Sequence, residues 1–546
     1  MNKKNSKSFE NLLIVDIRSK QKKINIEKYV LRNTCVLSLN PYSSFLLSNE
    51  NIDFIKFHDL ISLSEFREKV FREYTKTEEV FKSFDDFSFL FRDAAFFITY
   101  DVYVKELIDY IETVKKNKIK VHYISDKDSH EEKWVNSNFF SSNNLIDRFI
   151  TVSCQDKGFY FFNSWLEKIN RVRHTRNVLK RLISRYFTKK DMCLPSDMAN
   201  FNDYFYKMGK ITARKKIDEG VINNLAKELD KVFVDNIFSS ELKKIIERIK
   251  SNLKKSDEIT GKIKPFSFLS NTKKYVEFLV NKENNIPNIF IQHGSYLQEN
   301  IFLRYNEIYP ASLNLVLNDF TKELFEKRGA KRVHAIGSIK FNYAIVENRK
   351  KYDYLYITYC TSYNYAGTYI GNKEINVSAD ADNIYERHKK VIELFGTRFK
   401  EKKICIKIQP GIMTGAMLYV PLMELSKKYS NVTIEFSTPI QKIISHSKYI
   451  ISDYFSSEFI NREIHYKRDI ILFKGAPTRM PQEIIEDMNK MFILVETIQD
   501  LEHKVERIKD ISMNRVRHRD IIEYYSSKDC DTKRIVPRIL DEVIHG

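Results

Sequence analysis

At 546 residues, 43% of them hydrophobic and 13% aromatic, the chain is long enough to bury two cores and too apolar to belong with disordered sequences of low hydrophobicity. Its six cysteines, Cys35, Cys154, Cys193, Cys360, Cys405 and Cys530, make no CxxC pair and no His/Cys cluster at zinc-ligand spacing. A disulfide scaffold and a zinc finger are thereby excluded in favour of reduced thiols in a cytosol. The formal net charge of +19 and pI near 9.2 suit nucleic acid, anionic lipid or a polyanionic substrate, without choosing among them.

Residues 1–10 are polar and basic, and the apolar run 12–15 stops at Asp16. That run is too short for the core of a secretion signal, so no leader is expected. No stretch reaches the roughly eighteen apolar residues of a membrane-crossing helix, so the chain is expected to be soluble or peripheral. Apolar runs at 12–15, 35–39 and 96–99, the last followed by a helical pattern over 104–115, predict βα units. Residues 119–124, β-branched and bounded by Ser125-Asp126, predict a buried parallel strand. The first half thus reads as Rossmann-like.

Between about residues 159 and 255 the pattern changes to long charged segments of 3.6-residue period, including 165–190 and 241–255, which predicts a helical insertion. Within it, Ile169, Val172, Leu179, Leu182 and Ile183 stand among basic residues over 168–185. Such a helix either packs on the core with a solvated basic face or lies on an anionic membrane, where each Lys or Arg contributes roughly 1 kcal/mol.

From residue 288 the βα rhythm returns, with strands predicted at 288–291, 313–317, 332–336, 354–358, 404–408, 432–436, 449–451 and 470–473. Helical patterns at 321–327 and 382–395 separate some of them, with Asp380 and Asp382 placed to cap the second. Parallel sheets follow. The polar stretch 341–351 predicts a linker, which divides the chain into a first domain over 1–345 carrying the insertion, a second over 346–510, and a helical tail over 511–546.

Four strand ends carry candidate chemistry, because ligands of open α/β sheets bind outside the carboxyl ends of the strands. The first runs into Gln292-His293-Gly294-Ser295, where the His293 imidazole titrates in the range needed to take a proton from a hydroxyl and Gly294 allows close approach to the backbone. The others are Gly337-Ser338, the strand end Ile406-Lys407-Ile408-Gln409-Pro410-Gly411, and Asp453-Tyr454-Phe455-Ser456-Ser457-Glu458. Ser456 and Ser457 at the start of a helical segment would offer hydroxyl and N–H groups to a phosphate. Lys407 would add a point charge, and Ser437 and Thr438, before Pro439, further donors. Each also has a structural reading: helix caps for the serines and threonine, a solvated strand end for Lys407.

In this order the motifs resemble the bacterial surface-carbohydrate transferases of GT-B fold, including the CDP-glycerol glycerophosphotransferases and the Kdo-type capsule transferases. Those families show a His-Gly loop, a Gly-Ser turn, a Lys-x-His-Pro strand end and an Asp-Tyr-Ser-Ser loop. The resemblance covers about 287–475, with Gln409 where the family often has His and Phe455 inserted before the serine pair. It implies an α/β fold of two Rossmann-like domains of GT-B type, with a helical insertion in the first half. It also implies glycosyl transfer from a nucleotide-sugar donor to a polysaccharide or lipid-linked acceptor.

On that reading His293 is the base; Lys407, Ser437, Thr438, Ser456, Ser457, Gly337 and Ser338 hold the donor; and Gln292, Gly294, Asp453 and Glu458 line the cleft. Asp453 orders its loop, since a carboxylate acting as base there would repel a phosphate. Asp380-Ala381-Asp382 resembles a metal-binding DxD but precedes a helix, so capping is preferred and no metal is expected. No cofactor is expected beyond the nucleotide sugar as co-substrate. The expected setting is cytoplasmic, either free or peripheral at the inner face of an anionic membrane, with no specific nucleic acid partner. The rival readings are a polyol-phosphate transferase of CDP-glycerol type, a nucleotide-sugar epimerase and a non-catalytic polysaccharide-biosynthesis scaffold.

Overall fold

The computed structural model describes residues 9–16, 26–39, 41–84, 91–116, 119–125, 160–161, 211–213, 219–232, 247, 259–261, 278–282, 284–292, 307–337, 351–358, 369–370, 375–376, 381–408, 416–436, 438, 440–453, 468–474, 482–514, 518–525 and 537–538. It is an α/β protein built on parallel sheets.

The first sheet comprises β1 (Asn11–Asp16), β2 (Thr34–Ser38), β3 (Ile55–Lys56), β4 (Lys120–Ser125) and β5 (Tyr160–Phe161), in the order β3-β2-β1-β4-β5. All its pairings are parallel. β1 is buried along its whole length, as its near-continuous apolar sequence requires of a strand covered on both faces. Its helices are α1 (Pro41–Asn49), α2 (Leu63–Lys82) and α3 (Phe91–Lys116). In α2 the buried side chains Phe66, Val70, Tyr74, Thr77 and Phe81 recur at helical spacing, the stripe that seats an amphipathic helix.

Two expectations are corrected here. Residues 96–99 are not a strand but part of α3, in which Ile98 and Val102 stand one turn apart on one side and Leu107, Ile111 and Val114 at helical spacing on another, all buried. And the sheet takes its fifth strand from residues 160–161, at the start of the stretch read as a helical insertion. The rest of that stretch contributes β6 (Ile211–Ala213), which pairs antiparallel with β7 (Ile259–Gly261), and α4 (Glu219–Val232). The basic segment 168–185 lies outside the described residues.

A three-stranded parallel sheet follows: β8 (Ile289–Ile291), β9 (Leu313–Val316) and β10 (Val333–Ala335), in the order β10-β9-β8. Between β9 and β10 runs α5 (Asp319–Lys327), capped by Asn318, whose side chain accepts from the Thr321 N–H.

The last sheet holds six strands: β11 (Tyr352–Ile357), β14 (Ile404–Lys407), β15 (Val432–Glu435), β16 (Ser447–Ser452), β17 (Asp469–Phe473) and β18 (Ile493–Val495). A small antiparallel pair, β12 (Tyr369–Ile370) and β13 (Ile375–Asn376), lies between β11 and β14 in the chain. The sheet order is β15-β14-β11-β16-β17-β18, all parallel. Numbered from β11, this is 3-2-1-4-5-6, the doubly wound dinucleotide-fold order, and the first sheet follows it as far as its fifth strand.

Helices α6 (Ala381–Thr397), α7 (Ala416–Ser426) and α10 (Ile498–Glu506) cover one face, packing Val391, Phe395, Leu422, Leu501 and Val505 against Tyr356, Ile406 and Ile451. On the other face, α8 (Ile440–Ser445) and α9 (Gln482–Met491) pack Ile444, Ile484 and Met488 against Leu355, Cys405 and Ile450. Each of these large side chains contributes about 1.5–3 kcal/mol by leaving water. Gly396 is required where α6 meets Tyr429: a Cβ there would lie 2.3 Å from the ring. Asp382, expected to cap α6, lies within its first turn, since the helix already includes Ala381.

Contacts among the described residues join the halves of the chain. Val420 of α7 and Tyr385 of α6 enter the cluster built on Leu13, Val15 and Ile124 of the first sheet and Tyr42 and Leu47 of α1. Lys56, the last residue of β3, places its Nζ 3.3 Å from Glu386 of α6, so the carboxyl edge of the first sheet meets the first half of that helix. The chain closes with α11 (Ile508–Asn514) and α12 (Arg519–Tyr525). The second of these returns to α5, where Asn318 Nδ2 donates to the Tyr525 carbonyl at 2.6 Å and Phe320 lies 4.8 Å from the Tyr525 ring. Among the described residues, no helix is long and apolar enough to cross a membrane.

Candidate active site

In the 3-2-1-4-5-6 order the strand connections reverse direction between β11 and β16, and the crevice they leave lies outside the carboxyl ends of those two strands. A buried polar cluster occupies that point. Tyr356, in the last turn of pleat on β11, stands opposite Ile451 of β16, and its hydroxyl reaches two residues further along the neighbouring strand to donate to Asp453 Oδ2 at 3.0 Å. From α6, His388 Nε2 comes within 2.7 Å of the same oxygen. A carboxylate only accepts, so Nε2 carries the proton. The imidazole and the Tyr356 ring meet edge to face with centroids 5.6 Å apart. All three side chains are at most 2% exposed. Thr358, just beyond β11, donates through both N–H and hydroxyl to the Lys407 carbonyl, which ties the end of β11 to the end of β14.

One residue before His388, the half-buried Arg387 sets its guanidinium 5.5 Å from the ring centroid of Phe473 at the end of β17. α6 therefore lies across the ends of β16 and β17 and presents a histidine to one and a cation to the other.

Lys407 ends β14 on the opposite face, on the side of Cys405. It is 5% exposed, and its Nζ donates to the Phe436 carbonyl. Burial lowers its pKa below the ordinary lysine range, opposed by the charges of Glu435 and Cys405. Glu435, its register partner on β15, accepts from the Thr438 hydroxyl at 2.9 Å. Lys407 and Thr438 thus converge on Glu435 and Phe436, away from Asp453.

At the three-stranded sheet, Gln292 follows β8 and is 2% exposed; its Oε1 accepts from the Leu317 N–H at 2.8 Å, while its Nε2 has no hydrogen-bond partner among the described residues. Gly337 follows β10 with φ of 83°, a left-handed conformation that suits glycine. Of the other residues expected at the site, His293, Gly294, Ser338, Ser437, Ser456, Ser457 and Glu458 lie outside the described residues.

Tyr356, His388 and Arg387 were missed by sequence reasoning. One signal was present: Tyr354 and Tyr356 alternate along a strand that reads as buried, and a buried phenol needs a partner for its hydroxyl. His388 and Arg387, inside a charged helix, gave none.

No protein-family model matches the sequence, and a search of curated proteins finds no match. Among solved structures the chain is similar to the glycotransferase of kitacinnamycin, with 9% identity and a TM-score of 0.30 over 98% of this chain and 100% of that one. It is also similar to MurG of Acinetobacter baumannii, with 9% identity and a TM-score of 0.30 over 79% and 93%. A third is UGT2 of Phytolacca americana complexed with UDP-2-fluoro-glucose and pterostilbene, with 10% identity and a TM-score of 0.27 over 98% and 99%.

Proposed function

We propose that this chain is a GT-B-type glycosyltransferase that moves a sugar from a nucleotide-activated donor, held at the carboxyl edge of the six-stranded sheet, to a bacterial surface polysaccharide or lipid-linked acceptor held by the first half. The observation that carries this reading is the switch point of a 3-2-1-4-5-6 sheet, built from buried polar groups and approached by the carboxyl edge of a second sheet of the same winding. A ligand bound between two such edges is shielded from water, and holding two reactants in register can lower a barrier by about 7–11 kcal/mol in favourable cases.

His293, directly after Gln292, is the base that takes the acceptor proton. Gln292 fixes the strand end before it through the Leu317 N–H. The donor is a co-substrate, and the charge growing on its leaving phosphate is met by side-chain cations and helix N–H groups, without a metal ion. The protein works in the cytoplasm at the inner face of the membrane.

The test is to incubate the purified protein with CMP-, CDP-, UDP- and GDP-activated sugars and acceptor glycans and to detect released nucleotide and extended glycan by mass. His293→Ala is expected to lower turnover by about 100- to 10,000-fold while leaving donor affinity within a factor of a few. Equal turnover in the variant removes His293 from the role of base. Release of polyol phosphate in place of sugar, or no turnover of any donor, overturns the glycosyltransferase reading. EDTA is expected to leave the rate unchanged, and co-sedimentation with anionic vesicles reports on the membrane partner.

A further inference from the structure

We propose that the carboxyl end of the three-stranded sheet holds an uncharged hydroxyl group of the acceptor between the side-chain amides of Gln292 and Asn314; the proposal rests on the acceptor-binding reading above. Phe290 of β8 is the register partner of Asn314 on β9, and residues two apart on a strand share a face. Gln292, two residues beyond Phe290, therefore stands on the same face as Asn314, one row nearer the carboxyl edge. Phe290, Val316 and Val333 make the rest of that face apolar, and Phe325 of α5 covers it.

Gln292 is 2% exposed and Asn314 wholly buried, yet Gln292 Nε2 and both Asn314 Nδ2 and Oδ1 have no hydrogen-bond partner among the described residues. The amides around them are satisfied. Asn288, two residues before Phe290, accepts from Asn281 Nδ2 at 3.0 Å and donates to the Phe278 carbonyl. Asn318, past the end of β9, caps α5 through Oδ1 and donates to the Tyr525 carbonyl through Nδ2. A buried polar group left unmatched costs free energy that a bound partner returns, so the two unmatched amides mark a place built for a ligand group.

Their chemistry selects the group. The Leu317 N–H bond to Gln292 Oε1 fixes the amide, since turning it over would set donor against donor, and Nε2 is thus a donor of set direction. It requires an acceptor, whereas Asn314 Oδ1 requires a donor. A hydroxyl is both; a phosphate or carboxylate only accepts. The described residues that close the three strands, Gln292, Leu317, Asn318, Ile336 and Gly337, carry no charge to offset a buried anion. A sugar or polyol hydroxyl meets these conditions, and Gln292 and Asn314 are its binding residues.

The experiment is ligand-observed NMR titration of the full chain with a panel of neutral methyl glycosides. The wild type is expected to bind at least one. Gln292→Glu keeps the acceptor for the Leu317 N–H and replaces Nε2 by a carboxylate oxygen; it is expected to weaken that glycoside by about 10-fold at pH 8. Relative to wild type the loss is expected to shrink as pH falls to 5, because a buried carboxyl protonates readily and then donates as the amide did. Asn314→Leu removes an unmatched amide from an apolar face at similar volume. It is expected to raise Tm in a circular dichroism melt and yet to weaken the glycoside by about 10-fold.

Unchanged affinity in both variants, or a loss in Gln292→Glu that does not respond to pH, overturns the assignment. A lowered Tm or failure to fold in Asn314→Leu marks its amide as structural and also overturns it. If Gln292→Glu does not fold, Asn314→Leu decides alone: raised Tm with weakened glycoside supports the pocket, and unchanged affinity refutes it. Absence of glycoside binding by the wild type overturns the pocket, while turnover of a nucleotide sugar in the same preparation leaves the transferase reading standing. Glycoside binding that depends on both amides, with no turnover of any donor, overturns the transferase reading and leaves the hydroxyl site.

Discussion

The two doubly wound sheets each place a tyrosine-to-aspartate hydrogen bond at the switch point. In the first, the Tyr123 hydroxyl, opposite Ile14, donates to Asp16 two residues further along the adjacent strand, at 3.1 Å. In the second, Tyr356, opposite Ile451, donates to Asp453 across the same offset. The strand roles are exchanged: the aspartate ends the first-numbered strand in one sheet and the fourth-numbered in the other. A Tyr-to-Asp reach is therefore a general way to satisfy a buried carboxylate where two parallel strands diverge. What the second sheet adds is His388, delivered by the crossover helix α6, with Arg387 beside it. The addition belongs to the edge proposed to hold the donor.

That contrast can be broken by measurement. Asp453→Ala strands two buried partners and is expected to cost about 3–5 kcal/mol in urea unfolding followed by circular dichroism. Asp16→Ala is expected to cost roughly 1–3 kcal/mol. Equal losses would mean that His388 adds nothing to its carboxylate. Next in size, Tyr356→Phe and Tyr123→Phe each remove one hydroxyl donor to a carboxylate, and each is expected to cost about 1.5 kcal/mol by the same assay. A clear excess for Tyr356 would sharpen the comparison by showing that the imidazole strengthens the whole cluster.

The smallest effect is expected at the opposite, amino edge of the second sheet, at Asp353. Burial raises its pKa, but bonds from the Lys448 ammonium at 2.7 Å and the Lys403 N–H, with the charges of Lys448 and Lys402, outweigh that and leave it below the usual carboxylate value. A depressed folded pKa contributes stability that is present above the unfolded value of about 3.9 and lost as pH falls through the folded one. Asp353→Asn is thus expected to cost under about 1 kcal/mol at pH 7 and nothing at the acid end. A variant whose stability runs parallel to wild type from pH 7 to pH 3 would contradict this.

Much of the sheet scaffold was legible. The runs at 12–15, 35–39, 404–408 and 470–473 coincide with β1, β2, β14 and β17, because a strand buried on both faces must be almost continuously apolar. Short edges were not: β3 has two residues and β18 three, too few for period-two alternation to register. The run at 96–99 misled because four apolar residues fit a strand or one turn of helix equally well, and only the positions beyond it decide. At the site, Gln292, Gly337, Lys407, Thr438 and Asp453 were named from strand ends, yet what each side chain touches could not be read. Lys407 faces away from Asp453 because alternation along β14 puts it with Cys405, and the sequence does not say which face the crevice opens on.

Local order along the chain determined where the strands lie and that polar groups cluster at their ends, since burial and pleat impose patterns readable from neighbours. The tertiary structure decided the rest. Asp453 finds Tyr356 across 97 positions and His388 across 65, and those meetings depend on β16 lying beside β11 and on α6 crossing both. Strand order is set by how crossover helices pack against a sheet that does not exist until it is assembled, so no local pattern carries it.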